Sequence, residues 1–458
     1  MKTYKQLFFL WAVASVVSCN KSYLEIKPDQ TQRVPISISD FQALIHNADE
    51  MNVNSSNALG IIGADEYYIP DSRYDLIPSE TDFNYMKRAY NWSEIIYSGG
   101  ENTDWGRAYK RILTANIVLD GLKKITPLPS ELSHYNQTKG EALFHRALNY
   151  YNLAQLYCNP YNPSTIQTDL GLPLRLEADV TLKIGRATAN ETYQQILSDL
   201  TASVSLLPKE SLTVFYPSKA AAYALLSRIY LQIGDFEKAL ENASFCLEMK
   251  NTLLDYNSIN LTPIFPFPTD GSKNPEMIFS SNVTNVVTTG FSTMDSDTTL
   301  ISSYQENDLR PDAFFYYLNG RWIFTGSYTT SLFTGLAVDE VLLTRAECFA
   351  REGKLNEALK DLNKLLINRF KAGAFVPVST SSPDEALAII LRERRKSLLF
   401  RGTRWEDLRR LNREERFATT LVRTIKGTKY ELLPNGFKYT WPIPLEAITV
   451  GGYTQNPR

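Results

Sequence analysis

The chain is poor in the residues that build metal centres, disulfide frameworks and nucleophile sites. Of its 458 residues only four are cysteine and three are histidine. Setting aside Cys19, which closes an N-terminal apolar run, Cys158, Cys246 and Cys348 remain. Their odd number leaves at least one thiol unpaired, and no Cys-x-x-Cys spacing suits zinc. Cys246 and Cys348 sit among Ala, Leu and Phe at helical spacing, and all three are expected as small buried hydrophobes. His46, His134 and His145 form no His-Glu-x-x-His pair, and neither a Gly-x-Ser-x-Gly elbow nor a Gly-rich phosphate loop occurs. No catalytic residue, metal or cofactor is therefore expected. Charge of one sign is missing too: 48 basic against 50 acidic side chains give a net charge of −2, which offers a nucleic acid nothing. Strand signals are few and short. The one extended apolar run, Leu7 to Val17, is too short to remain in a bilayer as a spanning helix.

That run is the first positive feature. Lys2 and Lys5 precede it, the arrangement of a secretory leader. The sequence Val16-Val17-Ser18-Cys19 resembles the lipobox of bacterial lipoproteins, which implies loss of residues 1–18 and a lipid on Cys19. A plain leader with an incidental cysteine is the alternative. Stable anchoring takes two or more acyl chains, and Asn20 rather than Asp after Cys19 does not suggest retention at the inner membrane.

Helical periodicity dominates the rest of the chain. Apolar positions predict helices over about 105–124 and 137–157, packed as an antiparallel hairpin, then over 192–207, 218–232, 236–248, 339–351, 355–369 and 383–411. Two pairs repeat one pattern. Tyr223, Ser227, Tyr230, Gly234, Ala239, Ala243 and Cys246 have the spacing of Leu342, Ala346, Phe349, Gly353, Ala358, Leu362 and Leu365, as in tetratricopeptide helix pairs. The two turn glycines are too far apart for one uninterrupted solenoid of ~34-residue repeats. Irregular, aromatic-rich inserts occupy 51–103 and 251–336, the second with a hairpin expected around Phe315 to Tyr328. The regions 19–250 and 251–458, one insert in each, are expected to form one body.

Several segments in order then resemble one family. They are Tyr23-Leu24-Glu25-Ile26-Lys27-Pro28, Trp105 with Tyr109, Ile112, Ala115 and Asn116, Arg146-Ala147 with Tyr150-Tyr151, and Lys219 to Tyr230. Glu340 with Arg345-Ala346-Glu347, Glu393-Arg394-Arg395 with Gly402, Arg404-Trp405 and Asp407-Leu408, and the tail Pro442-Ile443-Pro444 with Gln455-Asn456-Pro457 complete the set. Together they resemble the SusD/RagB family of Bacteroidetes outer-membrane lipoproteins. Cys158-Asn159-Pro160 departs from it where many members carry a Gly-Asp turn. The resemblance implies a mainly α fold, a SusD-like body on tetratricopeptide-like helix pairs with long loop inserts and little β. It also implies a cell-surface protein that binds oligosaccharides and passes them to a TonB-dependent, SusC-like transporter barrel. Arg394, Arg395, Arg404 and Arg409 are expected to tie helices together through Glu347, Glu393 and Asp407 rather than to clamp a ligand.

A sugar-capture site needs flat apolar surfaces beside planar donors and acceptors. The first insert combines both in Asp65, Tyr67, Tyr68, Arg73, Tyr74, Tyr85, Tyr90, Asn91 and Trp92, the second in Tyr316, Tyr317, Asn319, Arg321, Trp322 and Tyr328. Trp92 and Trp322 lead as ligand contacts, followed by Tyr90, Asn91, Tyr67, Asp65, Arg73, Tyr328 and Tyr316. Packing of the loops' own core is the competing role for each aromatic. The same architecture could take peptides or another nutrient. A glycoside hydrolase would need two carboxylates at a set separation, and Asp65, Glu66, Asp82, Glu94, Glu101 and Asp104 carry no pattern that singles out a pair. The anchor makes a direct prediction: Cys19→Ala should move the protein from the membrane to the soluble fraction, and continued membrane association after carbonate washing would refute the lipobox assignment.

Overall fold

A computed structural model of the chain describes residues 34–458, apart from 79–80, 100–102, 269–272, 284–285 and 291. The leader, Cys19 and the Tyr23–Pro28 segment lie outside the described residues. Residues 38–458 form one contact unit, and no described helix is long and apolar enough to cross a membrane.

Helices α1 (Ile38–Ile45), α2 (Ala58–Gly63) and α3 (Thr81–Tyr90) precede the long pair α4 (Asp104–Leu122) and α5 (Leu132–Tyr157). Thr103 caps α4 by accepting the Gly106 N–H. Helix α5 begins five residues before its apolar stripe, and from Gly140 to Tyr157 it is buried on every side. Several of its polar residues are paired there, whereas His145 has no hydrogen-bond partner on either ring nitrogen among the described residues and burial holds it neutral, lowered to about 3. Arg146 holds Asp199 of α6 (Ala189–Leu206) through two bonds of 2.7 Å, and Tyr151 donates to Glu406 at 2.6 Å. The repeats are α7 (Lys219–Ile233) with α8 (Phe236–Met249), and α9 (Val338–Arg351) with α10 (Leu355–Leu366). Both turns need glycine, since Gly234 and Gly353 take φ of +82° and +75°. Helix α8 packs on α9, so the two pairs stack directly and the second insert leaves and re-enters between them.

The continuous helix expected over 383–411 is two, α11 (Pro383–Ser397) and α12 (Thr403–Leu411). The chain breaks at Phe400 (φ +56°) and Gly402 (φ +80°). Tertiary contacts hold Phe400 in this uncommon conformation: its N–H donates to Glu66 at 2.8 Å and its ring lies 4.5 Å from Phe324.

The strands are short and antiparallel: β1 (Tyr67–Tyr68), β2 (Met277–Phe279), β3 (Asn282–Val283), β4 (Asp295–Ser296), β5 (Phe315–Leu318), β6 (Arg321–Phe324), β7 (Leu332–Phe333), β8 (Leu336–Ala337), β9 (Leu421–Ile425) and β10 (Thr428–Leu432). They pair as β1–β4, β2–β8, β3–β7, β5–β6 and β9–β10. The hairpin expected to reach Tyr328 ends at Phe324. The β9–β10 hairpin is an addition to the expected elements, although its pattern is present in the sequence. Leu421, Arg423 and Ile425 alternate inward, and Lys426-Gly427, with φ of +50° and +75°, forms the two-residue turn that such hairpins favour.

The arginines act largely as structural ties. Arg394 pairs with Asp407, Arg310 with Glu393, and both Arg351 and Arg410 with Glu347. Arg409 differs: it donates to the carbonyls of Cys158 and Tyr439 instead of a carboxylate. The three cysteines are free and buried, and burial pushes the Cys158 thiol up to about 11. Burial would also raise Glu347, but Arg410 and Arg351 outweigh it and lower the carboxyl to about 2. A folded value below the unfolded one stabilises above about pH 4.5, and the gain disappears as pH falls toward 2. Glu347→Ala, which leaves two buried guanidiniums short of a partner, should cost ~3–5 kcal/mol at pH 7. Urea unfolding should show the deficit shrinking as pH drops from 4.5 toward 2; a constant deficit would refute the assignment.

Candidate ligand-binding site

Helix α2 brings the first insert onto the C-terminal region through its glycines. A Cβ at Gly63 would stand 2.6 Å from Trp405 Cζ3 and 2.9 Å from Trp441 Cζ2, so only glycine lets α2 lie on these two stacked indoles, whose centroids are 5.4 Å apart. The chain then passes Asp65 and Glu66 into β1, where alternation buries Tyr67 and turns Tyr68 outward. Arg423 of β9 enters from the other side. Its guanidinium lies 4.0 Å from the Tyr90 ring and 4.4 Å from the Trp92 ring and donates to the carbonyls of Tyr90, Ile62 and Ala64. Trp92 is held at φ +53° beneath it, with its indole N–H donating to the Gly63 carbonyl at 3.1 Å.

Above this floor is a depression of about 580 Å³ between the first insert and β9. Tyr68, Asp71, Asp297, Arg395, Thr420 and Thr424 are among the residues around it. Asp65 joins them, with Arg404 donating to its carboxylate at 2.6 and 2.9 Å and Arg395 forming an ion pair with it at 3.1 Å. Burial raises the Asp65 carboxyl, but these two guanidiniums prevail and hold it well below the usual carboxylate range. Glu66, directly behind, is the opposite case. Burial dominates, the Phe400 N–H opposes it only in part, and the carboxyl rises to about 8.

The second insert is stapled to the first at Asp295. Strand β4 pairs Asp295 with Tyr68 and Ser296 with Tyr67. The Asp295 carboxylate takes Arg73 on one oxygen and Arg321, at 2.8 Å, on the other. Arg73 also donates to Thr293 O at 3.0 Å and Arg321 to Met294 O at 2.8 Å. On the β5–β6 hairpin, Tyr317 and Trp322 sit across from each other with ring centroids 4.8 Å apart. Tyr317 is 56% exposed, Tyr68 44%, and Trp322 is half-buried.

Residues 22–231 match the family model described as starch-binding associating with outer membrane, and residues 325–458 match the SusD family model. The chain belongs to the SusD/RagB family. A SusD-like protein P2 from Formosa agariphila is 32% identical over 162 residues, covering 35% of this chain and 30% of that relative. A SusD superfamily protein from Bacteroides thetaiotaomicron superposes with a TM-score of 0.72 at 20% identity, over 92% of this chain and 100% of that one. Surface glycan-binding protein A from Bacteroides uniformis gives 0.70 at 19% identity, over 92% and 98%. At such identities the likeness is one of fold, and it agrees with the mainly helical body expected from the sequence.

In this SusD-family protein the structure brings Asp65, Tyr67, Tyr90 and Trp92 to one depression but gives them unequal roles. Trp92, Tyr90 and Tyr67 are buried at 1%, 2% and 4% exposure. The expectation that Trp92 stacks on a ligand is therefore corrected: its ring is packed under Arg423 and forms the floor. Tyr90 likewise serves the backbone, accepting the Ile69 N–H at 2.8 Å. Tyr328 is corrected too. Its hydroxyl donates to Glu276 at 2.6 Å, Arg401 lies over its ring, and it belongs to a core network. Asn91 is half-buried and accepts from the Ser93 hydroxyl. Tyr316 is half-buried on β5 and is not among the residues around the depression, and Arg73 is committed to Asp295. Asp295 and Arg423 were missed. The β9–β10 alternation could have marked Arg423, but nothing in the sequence near Asp295 announces two arginine partners. For Glu66, a folded value above the unfolded one means that stability falls as pH rises from about 4.5 to 8. Glu66→Gln should match wild type near pH 5 and melt higher near pH 8 to 9; parallel pH profiles of the melting temperature would refute this.

Proposed function

We propose that this protein captures glycan chains at the cell surface, held by a lipid on Cys19, and delivers them to a partner TonB-dependent, SusC-like transporter barrel. The observation that carries the reading is the joining at Asp295 of two aromatic-rich inserts from opposite halves of the chain. The joined inserts leave Tyr68 at the edge of a depression ringed by carboxylates, arginine and threonines, and the Tyr317–Trp322 pair at the surface of the hairpin whose strand β6 packs on β4. Aromatic faces suit the C–H faces of sugars, and the polar rim suits their hydroxyls. Membership of a family described as starch-binding supports the same ligand class. Binding is favoured over hydrolysis because neither neighbouring carboxyl is free to act on a ligand: Asp65 is tied to Arg404 and Arg395, and Glu66, the one that burial keeps protonated, is 2% exposed and accepts the Phe400 N–H.

Calorimetry against a panel of soluble polysaccharides tests the reading. At least one should bind reversibly and without fragmentation, and Trp322→Ala and Tyr68→Ala should each weaken it by about tenfold, ~1.4 kcal/mol. Trp92→Ala should instead cost ~3–5 kcal/mol of stability as a core truncation. Binding of peptides with no glycan bound would move the protein to peptide capture, and shortened products after prolonged incubation would make it a hydrolase.

A further inference from the structure

A second cavity, of about 660 Å³, adjoins the first beside α11. Arg395 lines both and forms the ridge between them, fixed at 3.1 Å to Asp297 and to Asp65. The far side has an apolar base. Leu300 and Phe370 are buried, Ile389 is half-buried, and the half-buried Phe375 ring is tilted against Phe370 at 5.4 Å. Val376, 80% exposed, stands at its mouth.

The polar groups around this base differ from the arginines elsewhere in the fold. Arg394, Arg404 and Arg410 are all spent on carboxylates. Gln305, Ser379 and Arg392 line the second cavity, are exposed, and make no side-chain hydrogen bond or ion pair among the described residues. A planar amide, a hydroxyl and a planar guanidinium without structural partners, next to an aromatic ring, supply the chemistry that sugar recognition requires. Each cavity is of the size that encloses a drug-sized ligand, about three sugar rings.

We infer that the second cavity is a further glycan subsite, and that a chain seated in the first depression continues over Arg395 into it. The inference rests on the proposed glycan capture and adds to it: the protein selects chains longer than one depression can hold. Its ligand class is an extended oligosaccharide, not a mono- or disaccharide.

The test uses size-fractionated fragments, two to ten sugars long, of whichever panel polysaccharide binds, titrated calorimetrically into the full mature chain. Affinity should keep rising beyond about three sugars. The pair Arg392→Ala and Val376→Asp should lower affinity for the longest fragments by about tenfold and leave di- and trisaccharide affinity within about twofold. Both positions are exposed, so the melting temperature should not move. A plateau at two or three sugars in wild type, or equal losses for short and long fragments in the variant, overturns the second subsite while leaving glycan capture standing. If no polysaccharide binds, the underlying reading falls and the subsite with it.

Discussion

Buried arginines that donate to main-chain carbonyls hold the irregular half of this protein in place. A chain with long inserts and only two- to five-residue strands leaves many interior carbonyls outside any ladder, and each such group must find a donor. Arg111 supplies Glu50, Val53 and Asn54; Arg369 supplies Leu254; Arg409 supplies Cys158 and Tyr439; Arg423 supplies Ile62, Ala64 and Tyr90. All four are at most 6% exposed. The guanidinium suits the task because it offers five donors in a plane and tolerates aromatic faces above and below. Arg423 uses both properties, and with it the first insert, the C-terminal hairpin and the floor of the ligand depression become one assembly.

The helical frame makes that assembly possible by fixing where the inserts start and end. Helix α5 is buried along most of its length, and the stacked pairs α7–α8 and α9–α10 place the two ends of the second insert on one rigid support. From there the insert reaches the first through β1–β4 and the arginines on Asp295. The aromatics divide accordingly. Those whose strand parity or neighbours turn them inward, such as Tyr67, Tyr90, Trp92 and Tyr328, build the support. Tyr68 and Tyr317 are left outward and Trp322 half-buried, and these three form the surface proposed for capture.

Much of the scaffold was legible because local rules write it into the sequence. The 3.6-residue apolar period located the main helices, the repeated small-residue spacing with Gly234 and Gly353 marked the paired ones, and ordered motifs pointed to the family. The break between α11 and α12 was not legible. Gly402 is the one local breaker in an otherwise helical composition from Arg394 to Leu411, and the turn at Phe400 before it depends on Glu66, over three hundred positions earlier, accepting the Phe400 N–H. The site residues failed as individuals for a related reason: composition shows that an insert is rich in aromatics, not which face of each ring is already covered.

The sequence by itself determined the helical frame, the expected exported address written at Lys2 to Cys19, the buried unpaired cysteines and the two segments where capture chemistry is concentrated. These depend on period, spacing and composition, which act over one or two turns of chain. Only the tertiary structure decided that Trp92 is floor and Tyr68 is surface, that Asp295 joins the inserts, and that Asp65 is held ionised while Glu66 behind it is driven toward the neutral form. Those outcomes depend on which distant groups share a buried volume, because solvent exclusion and a neighbouring guanidinium set both the exposure of a ring and the charge of a carboxylate.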